Sequence, residues 1–278
     1  MANPWTSRRV LNYAHQGGAR EAPSSTLFAM RQALAAGADA LELDVHATAD
    51  GELVVCHDAT VDRTTARSGA IADLSLTELL ELDNAYWFVP GEVVAPGRAD
   101  GDYVHRGKAP ADHEFGLATL REVLEAFPGV FLNLDIKQTA PDVKPYEATL
   151  AALLREYGRA DDVIVASFLD HATDAFSQAA PEISTSFGTM GTAQFWRAVQ
   201  DGEAPPPSRH HALQVPPAFG DRTVVDEHFV DVAHANDIAV HVWTIDDAPE
   251  MERLLALGVD GIMTDKPSVL ADVLSRGR

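Results

Sequence analysis

Thiols are what this sequence has least of: Cys56 stands alone among 278 residues. A single cysteine excludes an intramolecular disulfide and any site built on a cluster of thiolates. Basic residues are scarce too, 21 Lys and Arg against 42 Asp and Glu, for a formal charge of -21. That field repels nucleic-acid phosphates and anionic membrane surfaces at long range. A nucleic-acid partner is therefore not expected, and an anionic small substrate needs a placed cation to approach. No run comes near the roughly 20 apolar residues of a membrane span. Beyond Arg8-Arg9, the residues Asn12, His15 and Gln16 interrupt what would have to be a secretory hydrophobic region, which argues against a twin-arginine signal. The cytoplasm is the default expectation, and oligomeric state is not legible.

What is present is ordinary in bulk and unusual in three places. Hydrophobic content of 46% and charged content of 23% suit a globular chain long enough for a large core. Length alone allows one barrel or two smaller domains. The informative stretches are Tyr13-Ala14-His15-Gln16-Gly17-Gly18, Leu41-Glu42-Leu43-Asp44-Val45 and Val54-Val55-Cys56-His57-Asp58. Each has the apolar, β-branched character of a buried strand, and each carries polar groups that a buried strand avoids without a reason. Side chains alternate along a strand, so Glu42 and Asp44 share a face, roughly 7 Å apart. Two buried carboxylates repel, and without a cation one of them is driven towards its neutral form. A hard divalent cation, Mg2+ or Ca2+, resolves the conflict with oxygen ligands.

The rest of the chain alternates. A helix is predicted over residues 25–36, closed by Gly37, and the Asp50-Gly51 turn links it through 41–45 to a strand at 53–57. The link over 46–52 is too short for a crossover helix, so parallel strands there would need an extended return. Residues 59–117 lack the strand-helix rhythm. They are expected to form an insertion with one short helix near 76–82, an exposed aromatic group at Tyr86, Trp87 and Phe88, and the role of a lid or small subdomain. The rhythm resumes with helix 119–126 and strand 130–137, which places Asn133, Asp135 and Lys137 on one face. Helix 146–157, strand 163–168, a helix through 179, strand 184–188, a helix around 195–200 and strand 212–215 follow. After them come helix 226–236, strand 239–244, helix 249–257 and strand 261–264. Repeated strand-helix units with buried strands argue for a parallel (β/α)8 TIM barrel over a doubly wound sheet. Nine candidate strands compete for eight places, so one, in the 40–57 pair or near 212, is expected to be short or off the barrel.

In chain order, His15 with Gly17-Gly18, Glu42 and Asp44 in Glu-Leu-Asp-Val, Asp50-Gly51, His57-Asp58, Asp62-Arg63-Thr64-Thr65, Asp135-Ile136-Lys137, Val242-Trp243-Thr244 and Gly258-Val259-Asp260-Gly261-Ile262 resemble the glycerophosphodiester phosphodiesterase family. The ordered set spans almost the whole chain. The resemblance implies a TIM barrel of the phospholipase-C-like type with residues 59–117 as a cap. It implies metal ligation by Glu42, Asp44 and Asp135, and general acid and base roles for His15 and His57. Lys137 would hold phosphate oxygens and Trp243 would stack on the non-reacting part of the substrate. Glycerol 3-phosphate and an alcohol would be the products, reached with water or through a cyclic phosphate. An imidazole pKa of about 6.5 suits the two proton transfers.

The chain departs from the family pattern at three points. Gln16 stands where arginine is usual, Pro23-Ser24-Ser25-Thr26 where Pro-Glu-Asn-Thr is common, and Asp135 where glutamate is commoner. Gln16 is kept as a substrate-binding position, and either Arg20 in the same loop or another basic group is expected to take up part of the phosphate load, or the phosphate is held more weakly. Lys137 also has a plain reading, as the ion-pair partner of Asp135. Three further readings stay open: lysophospholipase D-like activity, enolisation of a sugar-like ligand on the same metal site, and a non-catalytic phosphodiester-binding protein. His210-His211 beside Pro205-Pro206-Pro207 looks metal-like but lacks further ligands, and Cys56, facing away from His57, reads as a small buried hydrophobe.

Overall fold

The computed structural model describes residues 3–6 and 9–276; Arg8 of the Arg8-Arg9 pair lies outside the described residues, as do Met1, Ala2 and Ser7. The order begins β1 (Leu11–His15), α1 (Leu27–Ala35), β2 (Ala40–Ala47), β3 (Leu53–Val55), α2 (Leu76–Leu80) and α3 (Leu120–Ala126). It continues β4 (Phe131–Ile136), α4 (Glu147–Glu156), β5 (Val163–Ala166), α5 (Asp170–Ala179), β6 (Ser184–Thr185) and α6 (Thr189–Asp201). The last third holds β7 (Ala212–Val215), β8 (Ala218–Phe219), β9 (Arg222–Thr223), α7 (Glu227–Ala235), β10 (Ala239–Val242), α8 (Ala248–Ala256), β11 (Gly261–Thr264) and α9 (Pro267–Arg276).

Eight parallel strands run β6-β5-β4-β2-β1-β11-β10-β7. The ring joins where Ser186 pairs with Ala212 in parallel, the His211 amide donates to the Thr185 carbonyl at 2.8 Å and the Phe187 amide to the Ala212 carbonyl at 3.0 Å. His210-His211 therefore serves the closure, and the His210 ring meets the Thr185 hydroxyl at 2.8 Å. The ninth strand is β3, which pairs antiparallel with β2 and lies off the ring. The Asp50-Gly51 turn makes this a hairpin, so no extended parallel return is needed. Gly51 takes a positive φ of 87° there, where a side chain is disfavoured.

Alternation along the strands builds two layers. Leu41, Leu43 and Val45 of β2 and Leu132, Leu134 and Ile136 of β4 face outward onto the helices. A second outer cluster joins β7, β10 and β11 to α6–α9. Inside the ring, Trp5, Leu11, Tyr13, Ala40, Ile164, Ala212, Ala239 and Met263 pack together. Trp5, from before β1, packs edge-on against Phe131 and His241 and is 1% exposed. Gly261 yields the room, because a Cβ there would stand 2.7 Å from the Tyr13 ring.

Helix starts follow the sequence. Thr26 caps α1 by accepting from the Ala29 amide, and Ser75 and Thr119 form capping boxes with Glu78 and Glu122. Helix α6 starts six residues earlier than its apolar stretch suggests, because Asp170 accepts from the Met190 and Gly191 amides at 2.9 and 2.8 Å. Between β3 and α3, residues 59–117 hold α2 and three short 3-10 turns. Small apolar groups around Ile71 and Leu79 and around Phe115 fill that segment. Among the described residues no helix is long and apolar enough to cross a membrane.

Candidate functional site

The carboxylates meet because β2 and β4 are neighbours in exact register. Asp44 lies opposite Asp135, and Glu42 opposite Asn133. All three acids turn into the barrel at its C-terminal end, with Glu42 5%, Asp44 1% and Asp135 7% exposed. Burial and the nearby Asp44 push the Glu42 carboxyl up to about 8. Burial likewise raises Asp135, against the pull of Lys137. The Lys137 ammonium stands 3.0 Å from Asp44 Oδ1 and 3.2 Å from Asp135 Oδ2. Burial disfavours its charge, but Asp44 and Asp135 outweigh that and raise its pKa. Two buried carboxylate oxygens, Asp44 Oδ2 and Asp135 Oδ1, have no hydrogen-bond partner among the described residues. The Lys137 ammonium and the His15 ring, whose Nε2 is 3.8 Å from Glu42 Oε2, face these three acids, and the two unpartnered carboxylate oxygens suit a hard cation. Among the described residues, no group of three or more His, Cys, Asp or Glu side chains is assembled as a metal cage. Lys137 sits between two of the candidate ligands.

The imidazoles come from the ends of β1 and β3. The β2–β3 hairpin folds the chain back so that the Cys56 amide donates to the Asp44 carbonyl at 3.0 Å, which sets His57 over the acids. The His15 and His57 rings lie 6.2 Å apart, nearly perpendicular. His15 Nδ1 is 2.6 Å from Asp265 Oδ1, and His57 Nδ1 is 2.6 Å from Asp58 Oδ1. With Nδ1 engaged on a carboxylate, Nε2 is the exchanging atom in each ring. Burial works against the charge on His15, but Glu42 and Asp265 prevail and raise its pKa to about 9. The hydrogen bond from His57, with Arg63 Nε at 2.7 Å, holds Asp58 well below the usual carboxylate range. Asp265 is backed in turn: its amide donates to Asp246 Oδ1 at 2.9 Å, and Arg20 Nε donates to Asp246 Oδ2 at 2.9 Å.

Gln16 is buried beside His15 and adopts a positive φ of 52°. Its amide donates to Glu42 Oε2 at 3.2 Å, and its side-chain nitrogen is 3.4 Å from His15 Nε2. Gly17 and Gly18 continue the turn at φ 81° and 90°, and a Cβ on Gly17 would press on Ala29 and Met30 of α1 at 3.2–3.4 Å.

His15, His57, Glu42, Asp44, Asp135 and Lys137 line one cavity of about 690 Å3 at the strand C-termini, together with Asn133, Phe168, Phe187, Trp196, Gln214, Phe219 and Trp243, while Gln16 lies beside His15 and is not among the lining residues. Active sites of TIM barrels occupy this face. A family model for the glycerophosphoryl diester phosphodiesterase family matches residues 15–269. A glycerophosphodiester phosphodiesterase of Caldanaerobacter subterraneus is 30% identical, with 97% of this chain and 99% of the relative covered. One of Bacillus subtilis is 29% identical, over 95% and 86% of the two chains.

The chain belongs to the glycerophosphoryl diester phosphodiesterase family. It is accordingly an enzyme, a phosphoric diester hydrolase. Its fold is also that of an Oleispira antarctica phosphodiesterase solved in complex with the product sn-glycerol-3-phosphate. The two agree with a TM-score of 0.69 at 24% identity, over 96% of this chain and 97% of the other.

Within that family frame, the structure brings His15, Gln16, Glu42, Asp44, His57, Asp135 and Lys137 together, and Trp243 lines the same cavity. Two expectations are corrected. Arg20 does not face the cavity: its guanidinium is taken up by Asp246 and by the Gly91 carbonyl at 3.2 Å, because Asp246 is the nearer anion and is fixed by two further donors, the Thr264 hydroxyl and the Asp265 amide. Tyr86, Trp87 and Phe88 are not an exposed surface group. Tyr86 and Trp87 stack on Arg106 within their own segment, and Phe88 is buried against His105. No residue of 59–117 is among those lining the cavity. Sequence reading also missed Asp265, Asp246 and Gln214, whose side chain donates to Asn133 across the barrel at 2.5 Å. Thr264-Asp265-Lys266 at the end of a barrel strand was the available signal for Asp265. Cys56 is buried as expected, and burial drives its thiol up to about 12.

Proposed function

We propose that this enzyme hydrolyses glycerophosphodiesters to sn-glycerol 3-phosphate and an alcohol, with His15 and His57 as the proton-transfer pair and Glu42, Asp44 and Asp135 as ligands of Mg2+ or Ca2+. The observation that carries the reading is the pair of carboxylate-backed imidazoles, 6.2 Å apart, over three buried acids. One Nε2 accepts the proton of the attacking water as its oxygen bonds to phosphorus. The other donates a proton to the alcohol oxygen as the phosphorus–oxygen bond breaks. The same pair serves a neighbouring glycerol hydroxyl as nucleophile equally well, with a cyclic phosphate opened afterwards. When bound, the divalent cation neutralises phosphoryl charge. The unpartnered oxygens of Asp44 and Asp135 suit it, and Lys137 is then available to hold a phosphate oxygen. Gln16 and Trp243 flank the bound diester, and residues 59–117 act as a cap behind His57.

Glycerophosphocholine turnover, followed as glycerol 3-phosphate release with added Mg2+ or Ca2+ and after chelation, tests the reading. The expected result is a loss of at least a hundredfold on chelation, restored by one of the two ions. Full activity after exhaustive chelation removes the metal assignment. Thermal stabilisation by the diester with no product after long incubation removes the catalytic one.

A further inference from the structure

No residue of 59–117 lines the cavity, so whatever this insertion does for the reaction passes through residues in between. Both imidazoles are reached that way. His57 Nδ1 and Arg63 Nε take the two oxygens of one carboxylate, Asp58 Oδ1 at 2.6 Å and Asp58 Oδ2 at 2.7 Å. A carboxylate held at one oxygen still turns about its Cβ–Cγ bond, whereas one held at both has a fixed plane and so fixes the direction of the imidazole. Asp265 repeats the pattern: Oδ1 takes His15 Nδ1 at 2.6 Å, and Oδ2 lies 3.9 Å from Arg20 Nε. The same Arg20 nitrogen donates to Asp246 Oδ2 at 2.9 Å, and Asp246 Oδ1 accepts from the Asp265 amide at 2.9 Å. Each imidazole thus stands on a carboxylate, and each carboxylate on an arginine.

Both arginines are anchored by the insertion. Arg63 belongs to it, in a turn that Asn84 and Trp87 hold: the Thr64 hydroxyl donates to Asn84 Oδ1 at 2.5 Å, and Trp87 Nε1 donates to the Thr65 carbonyl at 2.8 Å. Asn84, itself buried, also donates to the Ser24 carbonyl at 3.0 Å, which ties that turn to the β1–α1 loop. Arg20 lies in this loop, and Gly91 brackets it. The Gly91 amide donates to the Arg20 carbonyl at 2.8 Å, and the Gly91 carbonyl accepts from Arg20 Nη1 at 3.2 Å. The side chains of Arg63 and Arg20 are 28% and 41% exposed. Ion pairs open to water add little to stability, so what these two supply is geometry at the histidines.

We propose that Arg63 and Arg20 are positioning residues, through which the insertion 59–117 sets the directions of His57 and His15 separately. This rests on the reading of the two imidazoles as the proton-transfer pair and adds the parts that aim them. The two lines share no residue: one runs from Arg63 through Asp58 to His57, the other from Gly91 through Arg20, Asp246 and Asp265 to His15. A break in one leaves the other aimed.

The test compares Arg63→Met and Arg20→Met of the full chain with Arg67→Met, a control in the same insertion whose partner Glu78, at 2.9 Å, belongs to neither line. With metal present, kcat on glycerophosphocholine should fall about tenfold or more in the first two with KM within threefold of wild type, and the control should be unchanged. Melting temperature reports folding, and should a Met variant not fold, Arg63→Gln or Arg20→Gln takes its place. Proton NMR with Mg2+ added follows the downfield Nδ1–H signals of the two rings, assigned by their loss in His57→Gln and His15→Gln. Loss of the His57 signal alone in Arg63→Met, and of the His15 signal alone in Arg20→Met, supports the proposal. A kcat within twofold of wild type in either variant overturns it. So do signals that survive or vanish together in each variant, as a merely structural role would have it, or that are missing from the wild type. If the wild type turns over no diester, the phosphodiesterase reading fails instead, and the NMR signals alone decide the proposal.

Discussion

Each catalytic candidate depends on a second residue that holds it. Replacing His15 or His57 by Gln removes one proton-transfer step, so kcat should fall by about 10²–10⁴ with KM changed only a few-fold; initial rates on glycerophosphocholine check this. Asp265 does not line the cavity, yet its 2.6 Å contact fixes which nitrogen of His15 faces it. Asp265→Asn should therefore lower kcat by roughly ten- to a hundredfold while KM and melting temperature hold. An unchanged kcat would show that His15 needs no carboxylate behind it. At Gln16, the backbone amide already donates to Glu42, so the lost arginine is not replaced by a side-chain cation at this position. Arg20 is directed to Asp246 and the Gly91 carbonyl instead.

At the level of elements, the site depends on register and on one hairpin. A slip of β4 by one residue against β2 would turn Asp135 out towards the helices and bring Leu134 inside, leaving Asp44 without its facing carboxylate. The outward leucines, buried against α1, α3 and α4, hold that register. The antiparallel β3 then brings His57 back over the acids, which a parallel continuation of the chain would not do. The closed end of the barrel depends on Trp5, a residue outside every regular element. Trp5→Ala should cost about 3–5 kcal/mol, seen as a lower urea midpoint. It should leave kcat of the folded fraction near wild type, because the plug lies at the other end of the strands.

For the whole molecule, pH acts through the core as well as through the site. His241 is fully buried with neither ring nitrogen hydrogen-bonded among the described residues, and burial lowers its pKa to about 3. The unfolded chain takes up a proton near pH 6.5 and the folded one does not, so this residue leaves stability intact above pH 6.5. As pH falls from 6.5 towards 3, stability drops by up to about 1.4 kcal/mol per unit. Unfolding free energies from urea titrations at pH 7 and pH 4.5 should differ by about 2.5 kcal/mol more in the wild type than in His241→Leu; equal differences would mean that His241 is charged when folded. The charge of -21 adds a self-repulsion that salt screens.

Much of this molecule is set by the sequence alone. The alternation of Leu41 to Val45 and of Val130 to Lys137 determined that carboxylates and a lysine share the inner face, since side-chain parity on a strand is local geometry. The strand-helix rhythm determined a parallel barrel with one strand to spare, and caps such as Thr26, Ser75 and Thr119 marked where helices begin. Tertiary structure alone decided which elements became neighbours. It made β3 the outlying strand, gave Arg20 to Asp246, put Asp265 behind His15, and turned Tyr86 and Trp87 onto Arg106. It also brought Phe168, Phe187, Trp196, Phe219 and Trp243 to one cavity, residues up to 75 positions apart in the chain. Parity and capping are set by bonds within a few residues, whereas these pairings depend on the closing of the ring, which no local pattern records.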